Sequence, residues 1–257
     1  LALPAVALVV WVVGLLRREQ RTERRRAVHR VAVPIAVVGA VVVTALGFRS
    51  AANPTLTEVE SVSPDLPAAF DGLRVAVVTD VHAGPVLSAD FTEQVVDLVN
   101  EADPDLVVLA GDLFDGPEWR YGPEIDPLAD LEAPLGVFAV TGNHDTYTET
   151  PAEWEDSLTE LGVRSINNTA VPLERDGEQI WLLGVHDADG SGDLAPDYER
   201  AVEGVGQADY ALLAAHPLLR HLLRPLVFAT YLGGAVVATF RLTEEGGVFL
   251  KALGDRV

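Results

Sequence analysis

Residues 74–82 read RVAVVTDVH. A short apolar run, mostly β-branched, that turns polar at once describes a buried strand, 74–79, with Asp80 and His82 delivered at its end. The same figure recurs three times. LVVLA at 106–110 runs into Gly111-Asp112, VFAVT at 137–141 into Gly142-Asn143-His144-Asp145, and YALLAA at 210–215 into His216. Between these runs, 88–100 is spaced as a helix with Ser88 at its N-cap. Residues 151–161 are spaced as another, with Thr150 as cap and Pro151 in the first turn. IWLLG at 180–184 reads as a further strand, and 236–242 with 248–253 as a closing hairpin across 243–247. Strands alternating with helices predict an α/β domain. The carboxyl ends of such strands are where α/β proteins place ligands.

Those ends carry Asp, Asn and His. Carboxylate oxygen combined with imidazole nitrogen suits Mn, Fe or Zn. Two such ions sharing one carboxylate, with Asp112 the central candidate, can clamp a phosphate and generate hydroxide near neutral pH. Each strand end alone has a plainer reading, as a turn or cap residue. The Asn143-His144-Asp145 run is more than a turn needs, and the ordered recurrence along one chain favours chemistry.

Composition narrows the classes. The 257 residues suffice for one large domain or one domain plus an appendage. The absence of Cys excludes disulfides, thiolate metal sites and a Cys nucleophile. A formal charge of −21 argues against nucleic acid as a partner. The apolar fraction of 49% argues against disorder.

The chain divides near residue 50. LALPAVALVVWVVGLL at 1–16 is almost wholly apolar, seven Arg lie between 17 and 30, and VAVPIAVVGAVVVTALGF at 31–48 is apolar again. The second run has the length of a membrane span, and the first reads as a span cut short by a missing start. A signal peptide is the rival for the second run, and two buried soluble helices the rival for both. Residues 1–50 are therefore expected to be a membrane anchor: a partial helix, a cytoplasmic Arg-rich loop and a second helix. Residues 51–66 are expected to be a linker holding at most one short strand, and 67–257 the α/β domain. The positive-inside rule places that domain outside the cytoplasm. Residues 51–257 hold 10 basic and 37 acidic side chains, a net charge of −27, so anionic headgroups would repel them without an anchor.

The ordered blocks TDVH at 79–82, AGD at 110–112, TGNHD at 141–145 and LLAAHP at 212–217 resemble the calcineurin-like metallophosphoesterases, and within them a membrane-anchored bacterial branch. The resemblance covers roughly residues 70–220. It implies a four-layer α/β/β/α sandwich of two mixed sheets, two divalent metal ions, and a phosphomonoester or phosphodiester substrate, lipid-linked esters included. Carried over by motif, Asp80 and His82 bind the first metal, Asp112 bridges both, and Asn143 and His216 bind the second. His144 orients the phosphate and protonates the leaving oxygen, and Asp145 holds His144 in its working tautomer. The implied reaction is in-line attack by metal-bound hydroxide without a covalent enzyme intermediate. The family's closing Gly-His-x-His block does not follow His216, where the chain reads HPLLRHLLRPLVFATYLGGAVVATF, as though that segment were deleted. Each metal would lose one imidazole, so a catalytically impaired, membrane-tethered binding module is the alternative to an enzyme.

Other residues read more plainly. His186 and His221 are weak substitutes for the missing ligands, and His29 is structural or solvated. Asp115 and Asp187 read as turn residues. Trp119 and Tyr121 read as a packed loop, with a substrate lip at the membrane as the rival. Asn167-Asn168-Thr169 matches a glycosylation sequon.

Overall fold

A computed structural model of the chain describes residues 12, 22–206, 209–216 and 236–243. The expected first apolar helix (residue 12 apart), His221, the absent-block region and the expected strand at 248–253 lie outside the described residues. The chain forms two compact units, 1–52 and 53–257.

The first unit holds one long helix, α1 (Thr22–Ala51). Its Val28–Arg49 stretch is 22 residues with mean hydropathy 2.5, long and apolar enough to cross a membrane. Val31, Ile35, Val43 and Phe48 stand exposed along it. The helix already begins at Thr22, so the later arginines of the expected loop are helical, as is His29.

The second unit is built on two mixed sheets. Its elements are β1 (Leu56–Val62), β2 (Arg74–Thr79), α2 (Ala89–Glu101), β3 (Leu106–Ala110), α3 (Glu118–Tyr121), β4 (Val137–Val140), α4 (Asn143–Tyr147), α5 (Pro151–Glu160), β5 (Arg164–Ser165), β6 (Thr169–Arg175), β7 (Glu178–Gly184), α6 (Tyr198–Ala201), β8 (Ala211–Ala214) and β9 (Val236–Thr243). The larger sheet has the order β1-β9-β2-β3-β4-β5 and the smaller β6-β7-β8. β2, β3, β4 and β5 run parallel, β9 is antiparallel to β2 and parallel to β1, and β7 is antiparallel to β6 and parallel to β8.

Side-chain alternation assigns the two faces of the larger sheet. Val75, Leu106, Val108, Phe138 and Val140 face Val171, Leu173, Ile180 and Leu182 of the smaller sheet, and together form the core between the sheets. Ala76, Val78, Val107 and Leu109 face the other way, onto Phe91, Val95, Val96 and Val99 of α2 and Trp154 and Leu158 of α5. The outer face of the smaller sheet carries the short α6, where Ala201 packs with Val185 and Ala215. The layers run helix, sheet, sheet, helix, as the resemblance implies.

The one strand allowed for in the segment 51–66 is β1, an edge strand of the larger sheet. One expectation changes. The strand at 236–242 does not lie beside a sequence neighbour as a hairpin: β9 sits between β1 and β2, with Thr239 opposite both Glu58 and Ala76. A pairing between segments so far apart leaves no local turn signal, and turn signals are what a hairpin reading rests on.

Candidate metal centre

The site lies where β2, β3, β4 and β8 end. Past their last sheet residues, the tails of β2 and β3 stay paired: Asp80 N–H donates to the Gly111 carbonyl at 3.1 Å, His82 N–H to Asp112 O at 3.0 Å and Ala83 N–H to Leu113 O at 2.9 Å. This pairing holds Asp80, His82 and Asp112 side by side. All three have positive φ, at 60°, 49° and 53°. A non-glycine residue so placed costs on the order of 1–3 kcal/mol, and such strain concentrates at functional sites. Gly111, at φ 88°, and Gly142 meet with no room between them. A Cβ on Gly111 would lie 2.5 Å from Gly142 N, and one on Gly142 would overlap the Asp112 amide and Oδ1. Only glycines let β3 and β4 deliver Asp112 and Asn143-His144 to one place.

Asp112 is central. Its Oδ1 accepts the His144 backbone N–H at 2.8 Å, and its Oδ2 lies 3.3 Å from His216 Nε2 and 3.9 Å from His82 Nε2. His82 Nε2 is also 3.8 Å from Asp80 Oδ1. His216 is fully buried, and its Nδ1 lies 2.9 Å from the Ala110 carbonyl. That carbonyl only accepts, so the proton is on Nδ1 and the Nε2 lone pair faces the carboxylate. The buried Thr79 hydroxyl sits behind this pair, 2.9 Å from Asp80 Oδ2, 3.1 Å from Ala110 O and 3.3 Å from His216 Nδ1. Thr79 is a positioning residue that the strand pattern records only as the last residue of β2.

The residues fit a divalent ion. His216 Nε2 is buried without a hydrogen-bond partner, facing a carboxylate oxygen. Facing acceptors in a buried site call for a cation between them. Ligands at about 2.1 Å from a tetrahedral ion stand about 3.4 Å apart, close to the spacings here. Without an ion, protons take that place. Burial pulls His216 down, but the Asp112 carboxylate outweighs it and raises the imidazole above its ordinary value. Burial likewise opposes His82, yet its contacts with Asp115 and Asp80 and the charge of Asp112 raise it to about 10. For Asp112, burial pushes up, and His216 together with the His144 amide brings the carboxyl below its ordinary value.

Two carboxylate–imidazole groups form among the described residues: Asp80, Asp112 and His216, and His82, Asp115 and His144. The second corrects two readings. Asp115 is no mere turn residue: its Oδ1 lies 2.7 Å from His144 Nδ1 and 3.2 Å from His82 Nδ1. Its hydrogen bond to His82 and then that to His144 keep its carboxyl low against the effect of burial. Asp145 does not hold His144. Its Oδ1 accepts from Leu113 N at 2.8 Å and Phe114 N at 3.1 Å, and its Oδ2 from Gly142 N at 2.7 Å. Adjacent residues on a helix turn do not face one another, so Asp145 points inward while His144 is exposed. Burial raises the Asp145 carboxyl to about 7, against the pull of those three N–H groups. The loop carrying Asp115 is pinned from beneath. Phe114 stacks on the buried Trp154, with centroids 4.0 Å apart and planes 4° apart, and Trp154 Nε1 donates to Gly116 O at 3.0 Å.

The other expected residues fall as follows. Asn143 opens α4, half-buried, between Gly142 and His144. The His186 Nδ1 lies 2.9 Å from Thr141 Oγ1, in neither group, and burial lowers its imidazole. Asp187 is a turn residue, its Oδ1 accepting from Asp189 N at 2.8 Å. Trp119 is 71% exposed, whereas Tyr121 packs on the core beneath α2 and α5. The Asn167 amide of the sequon is engaged, with Nδ2 donating to Glu155 Oε1 at 2.9 Å and Oδ1 accepting from Thr141 N at 3.0 Å.

Residues 73–179 match the calcineurin-like phosphoesterase family, spanning β2, β3 and β4 with their site-bearing ends. The chain belongs to that family. It is 31% identical over 190 residues to the zebrafish (Danio rerio) "Transmembrane protein with metallophosphoesterase domain", covering 71% of this chain and 44% of that protein. It is 30% identical over 227 residues to the cattle (Bos taurus) protein of the same name, covering 82% and 50%. It is 28% identical over 154 residues to the "Uncharacterized metallophosphoesterase YkuE" of Bacillus subtilis, covering 59% and 53%. The chain thus spans about half the length of these relatives. The likeness to a membrane-anchored bacterial branch is not borne out, since animal proteins are among these relatives. Calcineurin-like phosphoesterases are metal-dependent hydrolases of phosphate esters, and each of the two carboxylate–imidazole groups above could hold a metal ion.

Proposed function

We propose that this chain hydrolyses phosphomonoester or phosphodiester bonds at a centre of two divalent ions, Mn, Fe or Zn. The reading rests on one observation above others: the buried His216 Nε2, 3.3 Å from Asp112 Oδ2, converging with Asp80, His82 and Asp112 on a common space. Asp80, His82 and Asp112 would hold one ion, and Asp112, Asn143 and His216 the other. Bound ions would polarise the phosphoryl oxygens and lower the pKa of water. The chain's own residues supply the rest. Asp115 fixes the proton of His144 on Nδ1, which leaves Nε2 to orient the phosphate and, when protonated, to donate to the leaving oxygen. Asp145 keeps the Leu113–Phe114 loop and Gly142 in register. Attack by activated water in line with the leaving group needs no covalent enzyme intermediate.

The substrate class we favour is membrane-borne: phosphodiesters of lipid-linked alcohols, met on the extracytoplasmic side. The helix Val28–Arg49 supports the anchoring, and the arginines between 17 and 30 support the orientation. The test is Mn²⁺-dependent hydrolysis of an aryl phosphodiester by the full chain in detergent, with Asp112→Ala as control. Hydrolysis that needs Mn²⁺ and vanishes in the variant is the expected result. The absence of Gly-His-x-His from the sequence favours a second reading, a tethered module that binds phosphate esters without cleaving them. Folded wild-type protein no more active than the variant would leave that reading standing.

A further inference from the structure

Tyr147 ends α4, three residues after His144. Its ring stands beside the His144 imidazole, with centroids 6.4 Å apart and planes inclined by 49°. It is 63% exposed, so core packing does not account for an aromatic there. Its hydroxyl lies 3.3 Å from Asp189 Oδ2. Asp189 comes from the loop after β7, whose turn is set by Asp189 N–H donating to Asp187 Oδ1 at 2.8 Å and Gly190 N–H to Asp187 O at 3.0 Å. A residue that follows β4 of the larger sheet and one that follows β7 of the smaller sheet thus meet beside His144. Neither belongs to the two carboxylate–imidazole groups.

We infer that Tyr147 and Asp189 form the leaving-group subsite, in which the Tyr147 ring supports a flat or apolar leaving group and the Asp189 carboxylate disfavours one carrying negative charge. The inference rests on the phosphoesterase reading above. If His144 protonates the leaving oxygen, whatever is bonded to that oxygen lies beside His144, where Tyr147 offers an uncovered aromatic face. Asp189 is exposed beside that ring in a domain of net charge −27, so a leaving group with a carboxylate or second phosphate meets repulsion. The subsite therefore selects neutral or cationic alcohols over anionic ones.

The test compares two chromogenic diesters on the Mn²⁺-loaded full chain in detergent: 4-nitrophenyl ethyl phosphate and its 3-carboxy-4-nitrophenyl analogue. Asp189→Asn should raise kcat/KM for the carboxylated ester about fivefold relative to the neutral one. Tyr147→Leu should lower kcat/KM for the neutral ester about three- to tenfold, mostly through KM, and Tyr147→Phe, which keeps the ring, should recover most of that loss. Calorimetric binding of phenylphosphonate against methylphosphonate gives a readout independent of turnover: the preference for phenyl should persist in Tyr147→Phe and disappear in Tyr147→Leu. Hydrolysis of both esters with ratios unmoved by either variant overturns the subsite and leaves the enzyme. A phenyl preference erased by Tyr147→Leu, with no ester hydrolysed, keeps the subsite and overturns the enzyme. Neither hydrolysis nor phosphonate binding overturns both.

Discussion

Asp115 holds His144 by a 2.7 Å contact between Oδ1 and Nδ1, and the same oxygen reaches His82 Nδ1 at 3.2 Å. One carboxylate oxygen therefore bears on the tautomers of both imidazoles, the proposed proton donor and a proposed metal ligand. Asp115→Ala should lower kcat about 10²-fold, in the range general acid–base catalysis contributes. It should also weaken metal binding about tenfold or more, as loss of an outer partner of a ligand does. Steady-state kinetics at saturating Mn²⁺ separate the two effects. An Asp115→Ala variant with wild-type kcat would remove Asp115 from the site.

Metal binding should strengthen as pH rises. In the metal-free chain His82 is raised to about 10, so at pH 7 it carries a proton that must leave before Nε2 can ligate. Affinity should climb about tenfold per pH unit over the range where one proton is displaced, levelling near the pKa. The same proton stabilises the metal-free fold, fully below the unfolded value of about 6.5 and no longer once pH has passed through about 10. Calorimetry in buffers of different ionisation enthalpy counts the protons released, and a pH-independent affinity would refute the assignment.

Asp145 should matter to stability more directly than to chemistry. Asp145→Ala leaves the N–H groups of Leu113, Phe114 and Gly142 without their acceptor in a buried place. At about 1–3 kcal/mol for each unsatisfied group, less what relaxation recovers, the loss should reach about 3 kcal/mol. Urea denaturation of the metal-free protein measures it. A loss below about 1 kcal/mol would mean that those amides find other partners.

Gly142→Ala should damage the centre while changing only one methyl group. The new Cβ would overlap the Asp112 amide and Oδ1, so either Asp112 or the start of α4 must move. A misplacement of about 1 Å at a catalytic centre costs about 10² in rate. Bound metal, measured by elemental analysis of the purified variant, should fall along with activity. Full metal content would show that the backbone yields there at little cost.

The parts of the fold that the sequence exposed were those with local causes. RVAVVT, LVVLA and VFAV are strands because unbroken apolar, β-branched runs suit a sheet covered on both faces, and β2 and β3 begin and end where those runs do. Asp80, His82, Asp112, His144 and His216 stand out as candidates in the sequence because each comes within a few residues of the end of such a run. Asp115 does not. It sits in a loop without periodicity, and its direction is set by Phe114 stacking on Trp154, forty residues on in the chain. Asp145 was misassigned because it neighbours His144 in sequence, whereas the helical turn sends the two side chains apart. The place of β9 was hidden for the same kind of reason: a strand's neighbours in a sheet are chosen by the whole core.

The position of β9 also governs how the protein comes into being. β1 and β2 are synthesised well before the strand that belongs between them. Until it arrives, β1 has no sheet partner and β2 is bare along one edge, both open to pairing with other nascent chains. The sheet closes only through contacts of very long sequence separation, which makes its completion slow. A premature stop before residue 236 would strip β1 of its sheet and leave a product marked for aggregation or degradation.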